Sequence, residues 1–315
     1  MSAGLGPQQL AVVVNDDEPN SVEIAEYYRK ARSIPAANMV HVRLPHRQRK
    51  LDAEQFEALK AQIDARLGPE IQAVLMVWTA PYAVECNSLT AAYTMGLDSE
   101  LCSNSCNASK PSPYFNAVSR KPMSDFKMRI AMQMPTESVA ASKALIDRGV
   151  LSGFATPVAT AYFLQTSDVA RSSRARFFPR SMSLPQKKLT IKTLQVDSIE
   201  QVSDIIVYQT GRDFVPKLDT LKFLPGALAD HLTSVGGDLL SNAQMSSLRW
   251  LDAGATASYG SVTEPCNHWQ KFPQSSVLLT QYLRGNTAIE AYWKSVAWPA
   301  QGVFIGEPLA APYRR

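Results

Sequence analysis

The chain has 315 residues, 45% of them apolar and 19% charged, with a net charge of +4. Such a composition supports a sizeable core and argues against disorder, while the charge is too small for this length to imply a nucleic-acid or membrane partner. No apolar run reaches about 18 residues, so no membrane span is expected.

Met1–Gln9 lacks a basic region followed by an apolar one, so no signal peptide is read there. Strand-like sequence starts at Leu10, which leaves open an exported precursor trimmed to this point. Leu10–Val14 reads as a buried strand ending in the polar turn Asn15-Asp16-Asp17. Asn20, with Glu23 three residues on, suggests a capping box for a helix that stops near Ile34-Pro35. Met39–Leu44 is a second strand. Asp52 and Gln55 open a second helix, whose Phe56, Leu59, Ile63 and Leu67 share a face. Ile71–Trp78 is continuously apolar, as a strand covered on both sides should be. This β-α-β-α-β order points to a parallel sheet.

Tyr82–Phe126 breaks the rhythm; rich in Ser, Asn and Pro and holding three of the four cysteines, it reads as an insertion or long loop. The pattern resumes with a strand at Lys127–Met132 and a helix from Pro135-Thr136 to Asp147. Further strands are expected at Ala159–Gln165, Leu189–Val196, Asp204–Tyr208, Ala227–Leu232 and Ala253–Ser258. Helices are expected around Gln244–Leu251, over Ser275–Arg284, and from the capping box Thr287/Glu290 to Pro299. The fold class is α/β, three-layered, with a mainly parallel sheet and helices on both faces. It reads as a single domain, with two subdomains, 8–150 and 151–315, as an option.

The runs VVVNDDEPNSVEIAEYYRKARSIPAANMV, PGALADHLTSVGG, GATASYGSVTEPCNHWQKFP and EAYWKSVAWPAQGVFIGEPL resemble a family of mostly exported bacterial proteins. More distantly, the layout resembles the gingipain-type cysteine peptidases of caspase-like fold. The N-terminal strand–helix–strand, the MRIAMQMPTES join and the terminal Gly306-Glu307-Pro308 carry that resemblance. It implies a catalytic His after the strand DIIVY and a nucleophilic Cys at the end of the next strand. Here those places read Gln209-Thr210-Gly211 and Asp230-His231-Leu232-Thr233-Ser234, with neither residue where it is due. Thr210 can take no proton from a thiol, so the cysteine-peptidase mechanism does not transfer. The resemblance also implies an exported, periplasmic or cell-surface location.

Ligands of parallel sheets bind beyond the carboxyl ends of strands. Three such ends are polar: Tyr208-Gln209-Thr210; Asp230 to Ser234, followed by Gly236-Gly237; and Ser258-Tyr259-Gly260, leading to Glu264-Pro265-Cys266-Asn267-His268. A catalytic reading makes His231 a general base or acid, Ser234 a nucleophile and Glu264 an orienting carboxylate, with Gly236-Gly237 offering backbone N–H groups to a developing charge. A binding reading uses Thr210, Asp230, Tyr259, Cys266, His268 and Trp269. In the plainer alternative, Asp230 and His231 satisfy buried backbone groups and cap the following turn.

Cys102, Cys106, Cys266 and His268 could form a tetrahedral zinc set. In an exported protein, disulfides joining Cys102 or Cys106 to Cys86 or Cys266 take precedence, and would hold the long loop on the domain. No cofactor is expected. Arg171, Arg174, Arg176 and Arg180 surround Phe177-Phe178; this pattern suits phosphate or single strands, but a solvated loop with its phenylalanines tucked in is the preferred reading. No glycine-rich phosphate loop is present, and Asn15 to Glu18 would repel phosphate, though the carboxylates there could hold a divalent cation. Three functions follow: a peptide- or protein-binding relative of the peptidases, a hydrolase rebuilt around His231, Ser234 and Glu264, or a structural component of a bacterial export or surface system.

Overall fold

The structure, a computed structural model, describes residues 4–315; Met1–Ala3, part of the N-terminal stretch read for a leader, lie outside the described residues. In chain order it contains β1 (Leu10–Asn15), α1 (Pro19–Arg32), β2 (Met39–Val42), β3 (Lys50–Leu51), α2 (Ala53–Asp64), β4 (Ala73–Val77), β5 (Ala83–Val84), β6 (Asn87–Ser88), α3 (Leu89–Met95), α4 (Glu100–Ser103), α5 (Pro122–Phe126) and β7 (Ile130–Met134). The second half adds α6 (Val139–Leu151), β8 (Ala159–Leu164), β9 (Met182–Leu184), β10 (Leu189–Leu194), β11 (Ile205–Thr210), β12 (Phe223–His231), α7 (Leu248–Asp252), β13 (Ala257–Ser261), α8 (Ser275–Leu283), α9 (Ala288–Ser295) and β14 (Gly302–Gly306).

Eleven strands form one sheet in the order β2-β1-β4-β7-β14-β13-β12-β11-β8-β10-β9, while β3, β5 and β6 form a small separate one. The pairs β2/β1, β1/β4, β4/β7, β13/β12, β12/β11, β11/β8 and β8/β10 are parallel; β13/β14 and β10/β9 are antiparallel. Alternate residues face opposite cores, as strand geometry requires. Val12 and Leu75 pack beneath α1, α6, α8 and α9, through Ile24, Leu145, Leu278 and Ile289. Val13 and Val74 face Phe56, Leu59 and Ile63 of α2. On the second half Tyr208 and Ala229 face Trp250 of α7. Tyr82, after β4, donates to Asp238, after β12, and Arg49, after β2, donates to the Leu240 carbonyl (2.8 Å). The carboxyl ends of the two halves of the sheet therefore meet along one edge.

The capping boxes at Asp52/Gln55 and Thr287/Glu290 form as expected. That at Asn20 does not. Glu18 is the N-cap residue, Pro19 takes the first helical position, and the Asn20 amide instead donates to the Thr136 carbonyl (2.8 Å). Thr136 likewise is spent on Glu18, and α6 starts at its Ser138 cap. Tyr82–Phe126 is not a loop throughout: α3 is almost wholly buried and packs on β7 and β14. β13 starts four residues later than expected, because Ala253 ends α7.

Candidate functional site

The register of β11 against β12 sets Gln209 beside Asp230 and Thr210 beside His231. Thr210, His231 and Tyr259 are each 1% exposed and Asp230 is fully buried. The polar tips thus converge, but they are closed. Arg174, from the arginine-rich segment, folds over them and pairs with Asp230 at 2.6 Å. Its guanidinium also donates to the carbonyls of Pro273 and Thr210, both at 3.0 Å. Gln209 and Tyr292 complete the shell by donating to the Asp230 carboxylate at 2.9 and 3.1 Å. A buried charge pair held this way is a structural closure, and it corrects the expectation that Arg174 lies on a solvated loop. Arg171 fastens the same strap by donating to Thr233 (2.9 Å), which in turn donates to Gln244 (2.8 Å).

His231 is not placed as a base. Trp250 Nε1 donates to its Nδ1 (2.8 Å), so that nitrogen is bare; Nε2 carries the proton and donates to the Met245 carbonyl (2.9 Å). Among the described residues no hydrogen bond joins the ring to Ser234 or Glu264. Burial, aided by the Arg174 and Arg171 charges, lowers its pKa to about 4 against the opposing pull of the Met245 carbonyl and Asp213. The unfolded chain therefore binds a proton near pH 6.5 that the fold refuses until about pH 4. Stability from this ring is complete above pH 6.5 and is lost as pH falls toward 4, by about 3 kcal/mol. Urea titrations across that range should show wild type losing this much more than His231→Gln; parallel curves would contradict the assignment.

The remaining candidates lie apart. Ser234 is half-buried, and the exposed Glu264 carboxylate accepts the Cys266 backbone N–H (2.7 Å) instead of orienting an imidazole. Gly237 is required by packing: a Cβ there would sit 2.2 Å from the Gly260 carbonyl oxygen, and its N–H is committed to Ser261 (2.8 Å), so it offers nothing to an oxyanion. Cys86 is bonded to Cys102 and Cys106 to Cys266, so the thiolates of the zinc set with His268 are not available. His268 instead hydrogen bonds the Cys106 carbonyl (2.9 Å), and the Trp269 ring lies tilted against that of Phe177, 4.5 Å between centres. In the acidic turn, Asp16 meets His41, Asp17 meets Arg43 and Glu18 meets Thr136, so the three carboxylates already have partners in place of a cation.

An accessible concavity at this edge is one the sequence reading missed. A cleft of about 360 Å³ opens beyond β11 and β12, lined by Phe214, Leu239, Leu240, Met245 and Leu248, with Gln244 also in its wall. Phe214 is 52% exposed, a large apolar side chain offered to solvent. The floor is pinned from below by the His231–Met245 bond and by the Met245 N–H donating to the Asp213 carbonyl (2.9 Å). A second groove of about 190 Å³ lies between α6 and α7 and shares Leu248 and Asp252 with the first. The readable signal was Leu239-Leu240, an apolar pair within a Gly, Asp and Ser loop directly after a strand. Among the described residues no helix is long and apolar enough to cross a membrane.

No protein-family model and no curated protein matches the chain. Solved structures do. A protease structure aligns with 98% of this chain and 79% of its own at a TM-score of 0.53 and 10% identity. The arginine-specific cysteine proteinase gingipain R aligns at 0.46 and 11% identity, covering 99% and 80%. The complex of the pro- and mature domains of the Porphyromonas gingivalis enzyme aligns at 0.45 and 12%, covering 96% and 79%. The chain thus shares its three-layer α/β architecture, with a large mainly parallel sheet, with a solved protease.

Proposed function

We propose that this chain is a protease-fold protein without the peptidase dyad, holding a peptide or protein segment in the cleft beyond β11 and β12 rather than cleaving it. The observation that carries this reading is the pairing of an open, largely apolar cleft with closed strand tips directly beneath it. The segments where the gingipain resemblance calls for an imidazole and a thiol, 209–211 and 230–234, hold no such dyad: the Thr210 carbonyl holds Arg174, and both nitrogens of His231 are engaged. A cleft at this edge also favours binding over a purely structural role, which needs no such concavity. The two disulfides fit an oxidising compartment and so an exported protein.

The test is a pool of unmodified decapeptides incubated with the protein, with the retained fraction identified by mass spectrometry. Sequences with a large apolar side chain should be retained, and Phe214→Glu should weaken retention at least about tenfold, since a carboxylate there opposes burial of an apolar group. Retention unchanged in Phe214→Glu would remove the cleft from the account.

A further inference from the structure

We infer that the Arg176–Phe177–Trp269 platform is a second contact surface, built to receive an acidic polypeptide segment. The guanidinium of Arg176 lies 5.0 Å from the Phe177 ring centre and 5.8 Å from that of Trp269, and the two rings are 4.5 Å apart. Arginine, tryptophan and a second aromatic together are the composition of binding hot spots. The two preceding arginines have other work: Arg171 meets Asp168 and Thr233, and Arg174 is buried on Asp230. Arg176 is exposed and has no carboxylate partner among the described residues; the same holds for Arg180 four residues on.

The platform is held rigid from behind. Ser276 donates to the Phe177 carbonyl (2.5 Å), and the Trp298 N–H donates to the Gln270 carbonyl (2.8 Å). The loop bearing Trp269 is tied through Cys266 to Cys106. The two rings beside the guanidinium restrict its freedom, while its exposed position leaves N–H donors of its fork toward solvent. Such a fork takes a carboxylate bidentately and loses little freedom in doing so. The nearby Glu264 carboxylate is turned to the Cys266 N–H. One exposed guanidinium seated over two aromatic rings matches a carboxylate beside an apolar side chain. A nucleic-acid strand needs a longer row of cations than this chain of net charge +4 offers here.

Fluorescence anisotropy with labelled Gly-Glu-Phe-Glu-Gly, Gly-Gln-Phe-Gln-Gly and Gly-Lys-Phe-Lys-Gly tests this, with a labelled thymidine decanucleotide as a fourth probe. The glutamate peptide should bind best and weaken with added salt. Arg176→Ala and Trp269→Ala should each weaken it at least about tenfold, and Arg176→Lys about fivefold, keeping charge but losing the planar fork. Arg176 is exposed, so its variants should melt as wild type does. Phe214→Glu lowers whatever the cleft holds of all three phenylalanine peptides but should leave the preference for glutamate over glutamine unchanged, which separates the platform from the cleft. Equal binding of the glutamate and glutamine peptides, indifference to Arg176→Ala, or tighter binding of the oligonucleotide would each overturn the proposal.

Discussion

Asp230→Ala should lower the unfolding free energy by about 3 to 5 kcal/mol, because it leaves the Arg174 guanidinium buried without its counter-charge. Arg174 and Asp230 are each 1% exposed at their side chains and 2.6 Å apart, so water cannot take over the lost partner. The change also strips Gln209 and Tyr292 of their shared acceptor. Arg174→Met with Asp230→Leu should recover at least half of the loss, since removing both charges removes the desolvation penalty as well. Urea midpoints of the single and double variants measure both quantities. A single-variant loss below about 1 kcal/mol, within the range of exposed ion pairs, would mean that the closure over the strand tips is open to solvent.

Removing the Cys106–Cys266 bridge as Cys106→Ala/Cys266→Ala should cost about 5 kcal/mol, against about 3 kcal/mol for Cys86→Ala/Cys102→Ala. The difference comes from loop closure in the unfolded chain: the first bridge spans 160 residues of sequence and the second 16. The two loops do not overlap, so the losses should add. The longer bridge also anchors the loop carrying His268 and Trp269 to the segment around Ser105, where Lys271 and Gln301 both donate to the Ser105 carbonyl. Denaturant unfolding of both paired variants provides the comparison. Equal losses, or a larger one for the shorter loop, would place the effect in native contacts instead.

The layers of this fold were legible because their signals are local. Runs such as Leu10–Val14 and Ile71–Trp78 announce strands covered on both faces, and the side chains of Asp52 and Thr287 reach only three residues to cap their helices. Where a polar side chain found a distant partner, local reading failed. Asn20 and Thr136 have good capping chemistry, yet each is bound across the sheet edge. β14 escaped notice because Gly302–Gly306 is a short apolar run, and its pairing with β13 joins it to residues over 40 positions earlier. α3 was hidden in a Ser- and Asn-rich stretch whose composition suggests a loop, although Ser88 caps it.

The site divides along the same line. That Thr210, Asp230, His231 and Tyr259 meet at one rim follows from parallel register, and the sequence carries it. Their burial does not follow: Thr210 and Asp230 are covered by a strap from between β8 and β9, and His231 by Trp250 and the loop at Met245. Arg174 looked like one basic residue among four in a surface segment; its position over Asp230 makes it one of the largest fully buried side chains in the chain. A buried ion pair turns the polar strand tip at Asp230 into a scaffold, and the proposed binding lies outward in the cleft above it.

The decapeptide pool tests that displacement most directly when it is read for new termini under excess protein over hours. The account predicts that every peptide, retained or not, is recovered at full length. New termini that appear with wild type and disappear with His231→Ala or Ser234→Ala would contradict it, and would return catalysis to the strand tips.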